Sequence, residues 1–440
     1  MTSVTAFSQE MLIAAAIMLG AYALIFTEVL HRTSAGVVGA VVMVGVGTLT
    51  GFYSQQAAVM AIDANTMFLL LAMMLLVAML RPTGGFEYLG IRLAKLAAGD
   101  PRRLLIYITL VVSLLSMFLD NVTTVLIFAP LTVLITRMLS LNPVPFLIAE
   151  AMLSNIAGAS TLVGDPPNIM IASSAGIDFM TFLINMGPII LPAWAATVVL
   201  MLVMFHKELQ PAQLGSQLIE LDESKAIKDI PGLWRASLAL VIVVALFFIH
   251  HRLHLFPAYV AWIGVALVLV LSRPKPEALF INVEWSVLLF FASLFVIVGG
   301  VEGSGLLNLV GFYLIENASE PGTLIWAALI IMWISALLSA MVDNIPFTVT
   351  MIPIISGLET QGVNVTPLWW ALAIGVGLGG NATHIGATAN IICITEAEKS
   401  RHPNARITPM QWMRIGIPVT LVSLSIASIV FIVIFEWISL

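Results

Sequence analysis

The sequence predicts an all-α polytopic membrane protein made of two inverted repeats. Each repeat has five spanning segments and one re-entrant hairpin, so about 10 transmembrane helices and 2 hairpins in all. Three observations lead there. The 440 residues are 60% hydrophobic and only 10% charged, with a mean hydropathy of +1.05, whereas soluble domains carry roughly 25% charged residues. A pair of short polar motifs occurs twice in the same order. The basic residues are distributed oppositely around the two copies. The first observation alone excludes a water-soluble enzyme, a disordered chain and a nucleic-acid binder.

Apolar runs occupy 11–30, 33–51, 65–80, 103–118, 124–140, 146–176 and 181–205 in the first half. The second half has runs at 234–250, 256–272, 285–301, 322–341, 345–358, 366–395 and 411–436. A spanning helix needs about 20 apolar residues, so these runs cross or enter the bilayer. No Lys or Arg precedes the run that starts at Met11, which reads as a first span and not as a cleaved signal peptide. The one substantial loop is 206–235, with Lys207, Glu220, Asp222, Glu223, Lys225, Lys228 and Asp229. Segments 84–98 and 303–318 mix polar and apolar residues over helical length and read as interfacial amphipathic helices, with plain connecting loops as the alternative.

The repeat is carried by two motifs. Asp120-Asn121 with Pro130 matches Asp343-Asn344 with Pro353 at an offset of 223. Gly158, Thr161 and Gly164-Asp165-Pro166-Pro167-Asn168 match Gly380, Thr383 and Gly386-Ala387-Thr388-Ala389-Asn390 at an offset of 222. Lys and Arg accumulate on the cytoplasmic side of membrane proteins. Segment 81–103 holds Arg81, Arg92, Lys95, Arg102 and Arg103 and reads as inside. Its counterpart, 302–321, has Glu302, Glu316 and Glu320 without Lys or Arg and reads as outside. Loop 206–235, Arg273 with Lys275, and 399–414 also fall inside, which leaves both termini outside. An odd number of spans per half inverts the second copy. The chain then divides into a first repeat, 1–205, with hairpin 103–140 and broken span 146–176; a cytoplasmic linker, 206–233; and a second repeat, 234–440, with hairpin 322–360 and broken span 366–395.

In that arrangement the tips Asp120-Asn121 and Asp343-Asn344 meet near the midplane, beside the two Gly- and Pro-containing interruptions. Proline removes a helix donor and glycine loosens the backbone. Unpaired backbone groups at membrane depth are tolerated only against protein or a water-filled cavity. Paired interruptions in corresponding positions of inverted halves point to the substrate site of a secondary transporter. A carboxylate at the centre of a span costs about 2.5–3.5 kcal/mol, which makes Asp120, Asp165 and Asp343 candidates for proton coupling. The competing reading is that each caps a half-helix. Asn121, Asn168, Asn344 and Asn390, with Thr123, Thr161, Thr348 and Thr383, offer amides and hydroxyls to a small neutral hydroxylated solute or an ion. Capping of the broken backbone is their competing use. His384 stands where the first half has Leu162 and reads as a proton carrier or as a hydrogen-bonded core histidine. Ser154 and Asn155, on the approach to the first break, are supporting candidates.

No metal site and no cofactor is expected. His250, His251 and His254 have metal-ligand spacing but fall at the outer end of a span, and an interfacial position explains them better than a metal site. The single cysteine, Cys393, supplies neither a disulfide nor a multi-sulfur cage and reads as apolar filler. An intramembrane aspartyl protease pairs two carboxylates, but Leu162-Val163-Gly164-Asp165 lacks the first glycine of a Gly-x-Gly-Asp motif, and no His-Glu-x-x-His occurs. Buried carboxylates argue against an anion channel.

With both Asp-Asn tips and both interrupted spans in place, the chain resembles the ArsB/NhaD branch of the ion transporter superfamily, and within it the subgroup similar to the melanosomal P protein. The resemblance runs from about residue 10 to residue 436. It implies a scaffold domain that often forms homodimers and an elevator-like transport domain carrying the two hairpins. It also implies that Asn121, Thr123, Asn168, Asn344, Thr348 and Asn390 face the substrate. Dicarboxylate carriers of the superfamily have Ser-Asn-Thr at the tips, where Asp120-Asn121-Val122 and Asp343-Asn344-Ile345 stand here, and the added carboxylates should repel a dianion. ArsB-like members expel arsenite and antimonite in exchange for protons, and some associate with a soluble ATPase, for which loop 206–235 is the natural contact. The resulting expectation is proton-coupled efflux of arsenite and antimonite across a bacterial inner membrane. Sodium/proton antiport in the same fold stays open.

Overall fold

The structure, a computed structural model, describes residues 7–27, 29–210, 223–307, 309, 324–342, 344–359, 362–400 and 405–439. Among them every regular element is a helix. The first half comprises α1 (Gln9–Phe26), α2 (Arg32–Thr50), α3 (Gln55–Met60), α4 (Ala64–Leu80), α5 (Gly85–Leu96), α6 (Pro101–Leu119), α7 (Asn121–Met138), α8 (Val144–Gly158), α9 (Pro166–Ala175) and α10 (Phe179–Met204). The second comprises α11 (Ile230–Ile249), α12 (Pro257–Ser272), α13 (Pro276–Phe280), α14 (Trp285–Gly303), α15 (Leu324–Val342), α16 (Asn344–Glu359), α17 (Thr366–Gly379), α18 (Thr388–Lys399), α19 (Pro409–Val433) and α20 (Phe435–Ile438). Nine of the described helices are long and apolar enough to cross a membrane. Asp343, and most of the amphipathic segment 303–318, lie outside the described residues.

The scarce polar residues are placed where apolar helices need them. The side chains of Asp63, Asp100, Asp178 and Asp229 accept backbone N–H groups at the starts of α4, α6, α10 and α11, donors that have no partner within the helix. Capping by Asp229 starts α11 at Ile230, inside the stretch that composition assigns to the linker up to 233.

The helices pack in two groups. In one, α2 lies against α1 and α14, and α4 lies against α11 and α12. In the other, α7 packs on α18, α9 on α16, α10 on α19 and α15 on α17. The groups meet where α4 touches α9 and α14 touches α16. Large apolar side chains such as Val41, Leu49 and Val433 remain exposed on the outer faces, as a lipid-facing surface requires.

Helix α5 is amphipathic. Phe86, Leu93 and Ala94 are buried, and the helix lies on α7. Its polar face holds the end of the linker. Lys95 and Arg92 both pair with Glu223, Arg92 at 3.0 Å, and the Lys228 N–H donates to the Thr83 carbonyl at 2.8 Å. Gly84, at φ 81°, passes directly beneath the Ala226 carbonyl, where a side chain has no room.

Candidate substrate-binding site

The chain reverses between α6 and α7 at a single residue. Asp120 ends one helix and caps the next, with φ 72° and ψ 153°, a region that is essentially reserved for glycine and costs about 1–3 kcal/mol for other residues. Local bonds compensate. The Asp120 carboxylate accepts the Thr123 N–H at 2.8 Å and the Thr123 hydroxyl at 2.7 Å, and the Asn121 N–H donates to the Gly164 carbonyl at 3.1 Å. The turn is buried, so the hairpin tip ends inside the protein against the first helix break.

That break separates α8 from α9. Asn168 closes it, its amide donating to the carbonyls of Gly158 at 3.2 Å and Thr161 at 2.9 Å. The Thr161 hydroxyl donates to the Met117 carbonyl on the hairpin. Gly158 and Gly164 touch backbone to backbone, leaving no space for a Cβ on either.

The second break, between α17 and α18, repeats these contacts. The Asn390 amide donates to the carbonyls of Gly380 and Thr383, both at 2.9 Å. The Thr383 hydroxyl donates to the Ala340 carbonyl, and Gly380 meets Gly386 backbone to backbone. The hydroxyl of Ser116 donates to the Ser154 carbonyl at 2.9 Å, and that of Ser339 to the Val376 carbonyl at 2.9 Å. Equivalent residues of the two motifs thus make equivalent bonds.

The two copies converge on Asp165. The Asn344 amide, at the start of the second hairpin's α16, lies 3.2 Å from both oxygens of this carboxylate. The Asn121 amide reaches the same carboxylate at 3.4 Å and the Asn155 oxygen at 3.1 Å. Asn155 in turn donates to the oxygens of Asn381 at 2.8 Å and Asn390 at 3.0 Å. One buried carboxylate is therefore embedded in carboxamides drawn from both halves. Asn121 in this cluster and Asn168 beside it each keep a buried amide oxygen with no protein partner. A buried acceptor of that kind is costly unless something else satisfies it.

The sequence-predicted residues divide accordingly. Asn121, Asp165, Asn344 and Asn390 come together with Asn155, and Asn168 borders them. The hydroxyls of Thr161, Thr383 and Thr348 are spent on backbone carbonyls, Thr348 on that of Asn344 at 2.7 Å. The side chains of Asp120 and Thr123 serve each other at the tip. His384 is half-buried, its Nδ1 buried without a partner. His250 has a structural task, accepting the Phe179 N–H at 3.2 Å while its other nitrogen meets the Leu255 carbonyl at 2.8 Å.

Asn381 and Arg32 were missed by the sequence reading. Asn381 sits within Gly380-Asn381-Ala382, where the first half has Ala159, so the repeat gives it no partner. Arg32 begins α2 and donates to the Thr388 hydroxyl at 2.7 Å, with its guanidinium 5.7 Å from the centre of the Phe290 ring. The signal was a lone cation between two apolar runs. It lines a cavity of about 510 Å³ with His31, Glu284 and Ser286, which reaches Val122 and Met341 beside the two tips and Thr388 at the second break.

Comparison with known proteins identifies the fold and the family. A sequence profile of the citrate transporter family, CitMHS, matches residues 22–375. An uncharacterized transporter of Mycobacterium tuberculosis is 38% identical over 426 residues, which is 95% of this chain and 97% of that protein. The human P protein is 31% identical over 497 residues, covering 95% of this chain but 59% of that longer protein. The crystal structure of the Alcanivorax borkumensis YdaH transporter shares the fold, with a TM-score of 0.57 over 98% of this chain and 99% of that one at 15% sequence identity. The chain therefore belongs to the CitMHS citrate transporter family, as a multi-pass membrane transporter related to the P protein.

Proposed function

We propose that the protein exports arsenite and antimonite in exchange for protons, by elevator-type movement of the hairpin-bearing helices against the α1–α2–α4–α14 group. The observation that carries this reading is the Asp165 cluster. One carboxylate accepts amides from both hairpin tips, so a change in its charge or hydrogen bonding reaches both hairpins at once. Asp165 is the coupling carboxylate in this reading, whereas the Asp120 carboxylate keeps its place as the cap of α7. Arsenous acid is neutral at physiological pH and carries O–H donors. The open oxygens of Asn121 and Asn168 are acceptors that suit it. Carboxamides, more than threonine hydroxyls, form the site. The cavity beside Arg32 lies next to the loops that the positive-inside rule puts in the cytoplasm, which suits entry from that side.

A second reading has specific support. The same two open oxygens suit sodium, and the alternative is then sodium/proton antiport. The family's description also names citrate. Repulsion by a tip carboxylate is a weaker objection to an organic anion once Asp120 is engaged by Thr123, and Arg32 is a cation in the cavity wall. Everted membrane vesicles separate the three. Labelled arsenite accumulating under an imposed pH gradient supports the proposal. Sodium-induced dequenching of a pH dye without arsenite accumulation replaces it with antiport, and citrate accumulation alone replaces it with anion transport.

A further inference from the structure

One fully buried acidic residue of the hairpin-bearing group takes no part in the Asp165 cluster. Glu150, on α8, is fully buried and has no counterpart in the second half, where Leu372 stands at the equivalent position. One of its carboxyl oxygens accepts the Thr132 hydroxyl of α7 at 2.8 Å. The other, Oε1, is buried with no partner at all.

The groups around it are known from each packed helix. From α7 come Thr132 and Thr136, one turn apart. From α18 comes Cys393, fully buried and against the backbone of Ala151, with Glu396 beyond it, paired to Lys399 at 2.7 Å. From α6 come Ser113 and Ser116, which serve the Leu153 and Ser154 carbonyls. The stretch of α17 that α8 meets is apolar, and α10, which also packs on α8, has no titratable side chain. No lysine, arginine or histidine among these faces Glu150. A carboxylate so placed has one hydrogen bond and no counter-charge, and an ionised acid stripped of water is strongly disfavoured against the neutral one. Protonation removes the unpaired charge and leaves only a neutral polar group at Oε1, a far smaller penalty than a buried anion.

We infer that Glu150 is a proton-binding site within the moving helix group, separate from the Asp165 cluster, which holds H⁺ in the closed packing of α7, α8 and α18 and exchanges it in the course of the transport cycle. The step is a simple protonation, carboxylate plus H⁺ to carboxylic acid, and needs no other reactant. The Thr136 hydroxyl, one turn from Thr132 on α7, is given to the Thr132 carbonyl at 2.7 Å and leaves Thr132 as the hydroxyl that serves Glu150. The inference rests on the proton-coupled reading for its role in transport but not for the existence of the protonated acid.

The test uses the full-length protein. Glu150→Gln keeps the shape and the bond from Thr132 but cannot exchange a proton. In proteoliposomes with arsenite, this variant is expected to lose pH-driven accumulation by about tenfold or more, while arsenite counterflow at equal pH stays within about twofold of wild type. Glu150→Asp should restore part of the pH-driven uptake, which a mere brace between α7 and α8 would not require. Infrared difference spectra provide the independent readout: a protonated carboxyl band, shifted in heavy water, is expected in wild type and absent from Glu150→Gln. Identical spectra would overturn the inference, as would undiminished pH-driven accumulation in Glu150→Gln. If wild type itself fails to accumulate arsenite under a pH gradient, the proposed function falls, and the infrared band still decides whether Glu150 holds a proton.

Discussion

The two helix breaks share a backbone and differ in chemistry. Asn168 and Asn390 clip their breaks with the same two bonds, Thr161 and Thr383 tie them to the neighbouring hairpins, and paired glycines hold the strands of each break together. Where the copies diverge, the first has Asp165, Leu162, Asn155 and Ala159, and the second has Ala387, His384, Gly377 and Asn381. The divergent positions interlock. Gly377 has no side chain because Ala159 fills the space in front of it, and Asn155 reaches across to Asn381. Duplicated residues thus clip the backbone of both breaks and supply the tip amides, whereas Asp165, Asn155 and Asn381, which break the duplication, join the two halves. Each expectation below tests that division.

The largest effect is expected at Asp165, the acidic residue that only the first break has. Asp165→Asn keeps the size but presents an amide to the amides of Asn121 and Asn344. A hydrogen bond to a charged group is worth roughly 1.5–3 kcal/mol, so transport in vesicles should fall by about 100-fold. Asp120→Asn should fall by less than about fivefold, because asparagine caps helices as well as aspartate does. If the two variants are equally damaged, the tip carboxylate has a role beyond capping and the contrast with Asp165 disappears.

The next effect should be unequal between the halves. Asn168→Ala and Asn390→Ala each strand two buried carbonyls, at about 1–3 kcal/mol apiece, and Asn390→Ala also strands the Asn155 amide that its oxygen accepts, so it should lower the thermal unfolding temperature in detergent further than Asn168→Ala does. Equal losses would mean that the Asn155 bond adds nothing to stability and that the two clips act alike. A smaller effect is expected from coupling across the divergent positions. A double-mutant cycle on Asn155→Ala and Asn381→Ala should return an interaction energy of about 0.5–1.5 kcal/mol, as for one neutral buried hydrogen bond, and zero coupling would detach the two halves at this point.

Much of this was legible before any coordinates. Apolar runs mark the helices, and the motifs Asp-Asn and Gly…Asn mark the tips and breaks, because chain reversals and interruptions inside a membrane demand residues that apolar spans otherwise avoid. Side-chain direction was not legible. Asp120 and Asp165 look alike in sequence. Only the positive φ at the tip turns Asp120 onto Thr123, and only the meeting of the two halves brings Asn344 to Asp165. Glu150 and Asn381 are illegible for a related reason: a repeat marks only positions that recur, and these two have Leu372 and Ala159 at the equivalent places.

The amphipathic segments carry the same contrast to the surface, and there the smallest effect is expected. In the first half α5 offers Arg92 and Lys95, and Glu223 of the linker answers both. The equivalent stretch of the second half has acidic residues and no basic ones to offer. The hydrogen bond from Lys95, with help from the neighbouring backbone and Arg92, holds the Glu223 carboxyl down at about 2, against an ordinary 4.5. A depressed carboxyl stabilises the folded clasp fully above its unfolded value and stops doing so as the pH falls through the folded one. The clasp should therefore be indifferent to pH between 7 and 5, weaken below about 4.5 and be gone near 2. Because the pair sits at the surface, Glu223→Gln should raise the rate of tryptic cleavage after Lys225 by less than about fivefold, and high salt should mimic it. Cleavage that accelerates already between pH 7 and 5 (measured with a protease active across that range) would show that some other group, not Glu223, ties the linker to α5.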